Sequence, residues 1–232
     1  MEKMNGIVFE RYKTDCPYLD GRDWECATLH VGDMNASVYE KLLTCGWRRS
    51  GFIFYQNLCH DCRECRPLKI DVNNFVLSRS QKRVLRINHD LTLSARTFSA
   101  GKRDFDLYRK YCEARHLSAE PTVESSFREH FADSPVESRV LRFFLGPKLV
   151  GVAWIDVMPQ ALSSVYFAFD PAFSKRSLGT FSILKQAELC KLLGKKWLHL
   201  GFYVKNSQKM NYKSAFSPCY ILSDGKWRSA DS

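Results

Sequence analysis

From residue 140 onward the chain carries an order of runs that few architectures satisfy. Three apolar, strand-like runs at 140–145, 149–157 and 164–169 are joined only at GPK and at the MPQAL turn. A helical run at 178–193 then stops at Gly194 and is followed by a further strand run at 197–204. Strand, helix and strand in that order require a crossover, and a crossover lays its two strands side by side in parallel. The expected class is mixed α/β, or α+β, with a mixed sheet and a crossover.

The first half is less regular. Residues 1–25 read as a loop-rich N-terminal segment, with Pro17 and Gly21 at turns around Tyr18 and Trp24. A short helix is expected at 36–44 with Asn35 as its cap, then strands at 50–56 and 68–75, a helix at 80–87 and a strand at 91–96. Helices at 105–115 and 123–131 precede the meander. A boundary near Gly101 divides an N-terminal lobe, 1–100, from a second unit, 101–232.

A length of 232 residues buries a substantial core, and 45% hydrophobic residues with no long polar tract make the chain globular. Lys and Arg exceed Asp and Glu by 10, which favours a polyanionic partner, nucleic acid first. No apolar run approaches the ~18 residues of a membrane span and the first residues lack the apolar core of a signal peptide, so a cytoplasmic protein without membrane contact is expected. Nine cysteines, unevenly spread, argue for reduced thiols over a disulfide framework.

The densest chemistry lies in GWRRSGFIFYQNLCHDCRECRPLKID, residues 46–71. Cys59, Cys62 and Cys65 have the spacing of a loop that wraps a soft metal, and Cys16 completes four thiolates; an iron–sulfur cluster, zinc and free thiols are the three alternatives. The remaining cysteines, Cys26, Cys45, Cys112, Cys190 and Cys219, are scattered and expected in the core. Arg48 and Arg49 suit bidentate capture of a carboxylate, or else an interior ion pair with an acid such as Asp71. Arg79, Lys82, Arg83 and Arg86 share one helix face, and four like charges without interleaved acids are explained by phosphates or by simple solvation. Lys205, Lys209 and Lys213 mix with Tyr203, Tyr212 and Phe216, charges for phosphates beside rings for unpaired bases, unless the apolar members are the buried side of a last helix. Arg176 and Gly179, in RSLGT, open a helix directly after a strand, where free N–H groups attract an anion or merely start a helix.

Residues 46–71 followed by SRSQKR resemble the N-terminal half of the aminoacyl-tRNA–protein transferases, and VYFAFDPAFSKRSLGT with LGFYVKNSQKMNYKSAF resembles their C-terminal half. The resemblance implies a GNAT-like acyltransferase fold, a sheet that splays to admit an acyl donor, with a cysteine-containing N-terminal lobe. It implies transfer of an amino acid, leucine or arginine, from aminoacyl-tRNA to the α-amine of proteins beginning with an acidic or oxidised residue, marking them for N-degron proteolysis through a downstream protease adaptor. Arg48 and Arg49 then bind the acceptor. Arg79, Lys82, Arg83, Arg86, Arg176, Gly179, Lys205, Lys209, Tyr212 and Lys213 bind tRNA, and Cys16, Cys59, Cys62 and Cys65 are the metal candidates. In the same terms Asp170 handles the acceptor ammonium and Tyr166 orients the ester, while His116, in YCEARH, echoes a further family element. Ester aminolysis itself requires no cofactor, since an α-amine with a pKa near 7.7–8.0 is partly neutral already.

Two departures from family patterns stand out. Phe181 occupies the last small position of the coenzyme A loop of GNAT acetyltransferases, and Leu19 stands where eukaryotic transferases have a second cysteine. A coenzyme A-dependent acetyltransferase and a non-enzymatic, thiol-rich RNA-binding or redox-sensing protein are the alternative readings.

Overall fold

The computed structural model describes residues 2–4, 7–97, 100–115, 122–131, 133–207 and 209–230, and His116 lies outside the described residues. A small antiparallel sheet comes first. It contains β1 (Glu2–Met4), β2 (Ile7–Asp15), β3 (Asp23–His30), β4 (Arg48–Ser50) and β5 (Ile53–Asn57), in the order β1-β2-β3-β5-β4. Helix α1 (Ala36–Thr44) leads into β4, and the Asn35 side chain caps it by accepting from the Ser37 and Val38 N–H groups at 2.9 and 3.3 Å.

The N-terminal segment is therefore a hairpin of β2 and β3, not the loop-rich stretch expected. Its strand character is hard to read because residues 11–15 of β2 are all exposed, so no buried alternation marks them. Leu29 and Phe54 on the other face of the sheet pack against Tyr39 and Leu43 of α1, and this cluster closes on Met158 and Ala161 of the second half.

The large sheet has eight strands: β6 (Arg66–Asp71), β7 (Leu91–Thr97), β8 (Ser138–Leu145), β9 (Lys148–Val157), β10 (Ala161–Phe169), β11 (Trp197–Tyr203), β12 (Cys219–Ser223) and β13 (Lys226–Ser229). Their order is β13-β12-β6-β11-β10-β9-β8-β7, so β6 and β7, which precede residue 101, are strands of this sheet. Four further helices accompany it: α2 (Arg79–Ile87), α3 (Lys102–Arg115), α4 (Glu124–Phe131) and α5 (Leu178–Leu192). The three consecutive strand runs are β8, β9 and β10, which pair as an antiparallel meander, and α5 is the crossover that makes β10 and β11 the parallel pair among the described strands.

Both faces of the meander are covered, as the unbroken burial of β9 from Val150 to Val157 requires. On one face Phe181, Ile183, Leu184 and Ala187 of α5 pack against Leu141, Phe143 and Ile155. Phe105, Phe127 and Phe131 of α3 and α4 cover Val140, Val152 and Trp154 on the other.

Candidate active site

β10 and β11 stay together for only three residues. Ala161, Leu162 and Ser163 face Trp197, Leu198 and His199; then β10 shifts register against β9 between Ser164 and Tyr166, while β11 shifts against β6 between His199 and Phe202. The strands diverge and leave a wedge in the middle of the sheet. Arg48 fills it. Its Nη2 donates to the Ser164 carbonyl at 2.8 Å, and on the β11 side a Cβ at Gly201 would sit 3.4 Å from the same nitrogen. Gly201 has φ +76°, so both the backbone turn and the close approach of the guanidinium call for glycine.

Strand alternation separates the twin arginines. Arg48 faces Tyr55 across the β4–β5 ladder and Arg49 faces Phe54, so the two side chains leave opposite faces of the small sheet. Arg49 goes inward: its Nε and Nη2 donate to the two carboxylate oxygens of Asp156 at 2.9 and 2.5 Å, and its Nη1 donates to the Gly51 carbonyl at 2.7 Å. Asp156, fully buried, also accepts from Tyr39 at 3.1 Å and Ser138 at 2.6 Å. This is the interior ion pair considered above, with Asp156 as the acid in place of Asp71, whose carboxylate instead caps the turn at Asn73 and Asn74.

Arg48 is different. It is only 6% exposed, yet no carboxylate pairs with it among the described residues, and the Ser164 carbonyl is its one hydrogen-bond partner there. Its uncompensated charge is felt by its neighbours. Burial drives the His199 imidazole well below its ordinary value, and Arg48 and Lys69 push the same way, so the ring is neutral at pH 7. Lys213 donates from Nζ to the Phe202 carbonyl at 2.9 Å; burial first, and then Arg48, bring its pKa down to about 7.

Beside the wedge, on the Arg48 face of the small sheet, lies a cavity of about 360 Å³. Tyr12, Tyr18, Trp24, Cys26 and Tyr55 line it, Phe202 of β11 joins it to the wedge, and no lining residue is charged. Glu10, whose carboxylate accepts from the Tyr12 hydroxyl, stands outside the lining.

Comparison with known proteins gives the family. The family model for the N terminus of arginine-tRNA-protein transferase matches residues 14–83, and the one for its C terminus matches residues 103–223. The chain belongs to the aminoacyl-tRNA–protein transferase family. This transferase is 38% identical over 223 residues to the aspartate/glutamate leucyltransferase of Aeromonas hydrophila, covering 95% of this chain and 93% of that one. It is 36% identical over 227 residues to the aspartate/glutamate leucyltransferase of Marinobacter nauticus, covering 96% and 95%. Among solved structures, that of FemX gives a TM-score of 0.48 at 8% identity, over 88% of this chain and 81% of the other. The transferase is an aminoacyltransferase, and the acetyltransferase and non-enzymatic readings fall away. None of its described helices is long and apolar enough to cross a membrane.

The transferase's cationic residues fall into two groups. Arg79, Lys82, Arg83 and Arg86 are all exposed on α2, a helix fixed by a capping box between Ser78 and Gln81 and by the Gln81 side chain donating to the Ala215 carbonyl at 3.0 Å. Arg176 is committed, donating to the Ile87 carbonyl at 2.7 Å and to Asp90 at 2.5 Å, which ties the start of α5 to the end of α2. The first turn of α5 has no side-chain cap, and a Cβ at Gly179 would lie 3.8 Å from the Tyr212 hydroxyl, so RSLGT and KMNYK meet at the open end of the wedge. Lys205 and Lys209 are exposed there, whereas the Lys213 Nζ points inward. Phe181 is buried and packs on Phe143, filling the place where the coenzyme A loop has a small residue.

Tyr166 sits on β10 and Asp170 just past its end. Burial pushes the Asp170 carboxyl up, but Lys110 at 2.7 Å, Lys148 at 3.0 Å and the Ala172 N–H outweigh it and hold the group below the usual carboxylate range. Tyr166 lies in the aromatic cluster of α3 and α4, and burial, then Cys112 and Tyr108, raise its phenol above the ordinary value. Of the thiols, Cys65 is pushed up to about 12 by burial first and then by Cys16, Cys59 and Cys62, so the four are neighbours. Cys59 is engaged with the Glu25 backbone at 3.4 and 3.7 Å, and among the described residues no three His, Cys, Asp or Glu side chains form a group able to hold a metal ion. As arranged, they do not fit a metal or a cluster.

Sequence reasoning missed Gly201, Asp156 and His199. Gly201 carried a signal, a lone glycine inside a strand run, which marks close backbone approach.

Proposed function

We propose that the transferase moves leucine from leucyl-tRNA to the α-amine of polypeptides whose first residue is acidic or oxidised, in the cytoplasm, as a mark read by a protease adaptor. One observation carries the acceptor half of this reading: a charged guanidinium at the wedge is buried without a counter-ion among the described residues. Burying such a charge unpaired is costly, and an incoming carboxylate removes that cost. The acidic side chain of the acceptor is the ligand that Arg48 lacks, and its α-amine is then held at the wedge. The leucyltransferase names of the two relatives point the same way.

The donor half rests on the cavity. An uncharged, aromatic lining accepts an aliphatic side chain, whereas a donor arginine would need a carboxylate that the lining does not supply. The acceptor amine forms a C–N bond to the ester carbonyl carbon, the C–O bond to the 3′ ribose oxygen breaks, and that oxygen leaves with a proton. Backbone N–H groups where β10 and β11 part are our candidates for meeting the developing oxyanion, because the parallel ladder ends there after Ser163 and His199. The exposed face of α2, with Lys205, Lys209 and Tyr212, supports phosphate and base contacts for the tRNA.

Labelled leucyl-tRNA and arginyl-tRNA, each incubated with peptides beginning in Asp, Glu, Asn or Ala, test both halves. Label should pass from leucyl-tRNA to the Asp and Glu peptides. Labelling of the Ala peptide at the same rate defeats the acceptor reading, and preference for arginyl-tRNA defeats the donor reading.

A further inference from the structure

The wedge holds a second basic group whose place the tRNA reading leaves unexplained. Lys213 sits on the 3-10 turn Asn211–Ala215, but its Nζ turns away from solvent to the Phe202 carbonyl, one residue from the glycine over which Arg48 lies. A phosphate-binding lysine has no reason to be there. Both basic groups reach β11 at adjacent residues, Arg48 against Gly201 and Lys213 at the Phe202 carbonyl, where the strands have parted and the ester and the amine must meet.

We propose that Lys213 takes the proton from the acceptor's α-ammonium, and that an acidic acceptor side chain seated on Arg48 prepares it to do so. The proposal rests on the acid-acceptor reading above. Three features support it. The Nζ is inside the gap, with one donated hydrogen bond to a carbonyl and a weak sulfur contact to Met210 at 3.7 Å. Burial brings its pKa down to about 7, so about half of it is neutral at pH 7, with a lone pair to accept a proton. Arg48 is the one charged group that acts on it, so a carboxylate that neutralises Arg48 raises its basicity.

The proton balance is simple. The acceptor ammonium passes one N–H proton to the Lys213 Nζ and becomes the free amine. That amine adds to the ester carbonyl, the intermediate's nitrogen gives its surplus proton to the departing 3′ oxygen, and Lys213 releases the first proton to water. The acidic side chain thus acts twice, by binding and by switching on the base, so acid selectivity should show in kcat as well as in KM.

The test combines titration with kinetics on the full chain. With lysines isotopically labelled and Lys213→Arg used for assignment, the wild-type Lys213 resonance should titrate near neutrality and move upward when an Asp-ended peptide is added, but not an Asn-ended one. Lys213→Arg keeps a donor for the Phe202 carbonyl, so it should fold; kcat should fall about 100-fold or more, with tRNA affinity nearly unchanged and the neutral limb of the pH profile gone. Lys213→Met should lose kcat alike. A Lys213 that titrates as an ordinary lysine near 10.4 overturns the proposal. So do variants with wild-type kcat, or a loss repaired by more tRNA, which marks a tRNA contact. If wild-type enzyme ignores acidic ends altogether, the acceptor reading and this proposal fall together; if it uses them and the variants match it, only the role of Lys213 falls.

Discussion

Two neighbouring arginines on one strand should behave oppositely when shortened to an uncharged residue. Arg49→Met strips the buried Asp156 carboxylate of its counter-ion and leaves it two hydroxyl donors, Tyr39 and Ser138. Breaking a buried pair from one side costs about 3–5 kcal/mol, because the surviving charge stays buried. With an unfolding entropy of about 2.1 cal/mol/K per residue over 232 residues, Tm should drop by roughly 6–10 °C. Adding Asp156→Leu to Arg49→Met removes the stranded charge and should recover most of the loss, as a double-mutant cycle followed by thermal melting reports. Arg48→Met gives up one bond to the Ser164 carbonyl but also removes a charge with no ion-pair partner among the described residues. The two effects oppose, so Tm should stay within about 4 °C of wild type. Its effect falls on the reaction: losing a desolvated carboxylate contact of about 3–4 kcal/mol lowers kcat/KM for an Asp-ended peptide by roughly 10²- to 10³-fold, with little change for an Ala-ended one. If Arg48→Met is the variant that melts early, or if it still discriminates acidic from neutral ends, the division of labour argued here is wrong.

Three further outcomes follow from the same geometry. Gly201→Ala places a Cβ 3.4 Å from the Arg48 Nη2 at a backbone of φ +76°, so acidic-acceptor kcat/KM should fall by more than tenfold while tRNA binding is kept; an unchanged rate would separate Arg48 from the wedge. Asp170→Asn should lower Tm at pH 7, because a carboxyl held below its unfolded value of about 3.9 stabilises the fold above that pH; the gap to wild type should narrow as pH falls below about 4 and should persist if the ion pairs with Lys110 and Lys148 are irrelevant. Replacing Lys82 and Arg83 by Ala should weaken tRNA binding and reduce the slope of log affinity against log salt by about one per lost phosphate contact, with peptide KM constant; an unaltered slope would mean that α2 is only solvated.

What the sequence made legible was the part governed by local pattern. The meander, the crossover helix and the cap at Asn35 all follow from apolar spacing and end signals, and the meander's last strand, β10, is one wall of the wedge. The N-terminal hairpin was illegible because residues 11–15 of β2 are all exposed, so that half of the strand leaves no alternating trace. The β12–β13 hairpin did leave a trace, Asp224-Gly225 with both residues at positive φ, the dipeptide that a tight hairpin turn favours, and it went unread. At the site, Arg48 and Arg49 read as one fork, although adjacent residues of a strand must point apart. The inward turn of Lys213 depends on where a distant strand leaves an open carbonyl, and nothing in its neighbours' spacing announces that.

The carboxylate of Asp156 joins a helix, a strand of the small sheet and a strand of the large one through three side chains. Arg48 is the next residue along from the one it grips. With Arg48 as the proposed acceptor contact, selectivity for the polypeptide's first residue should be mechanically geared to the seam between the sheets: loosening that seam by heat, denaturant or mutation should blur the choice of acceptor before the chain as a whole melts, and the transferase would then spoil first as a judge and only afterwards as a catalyst.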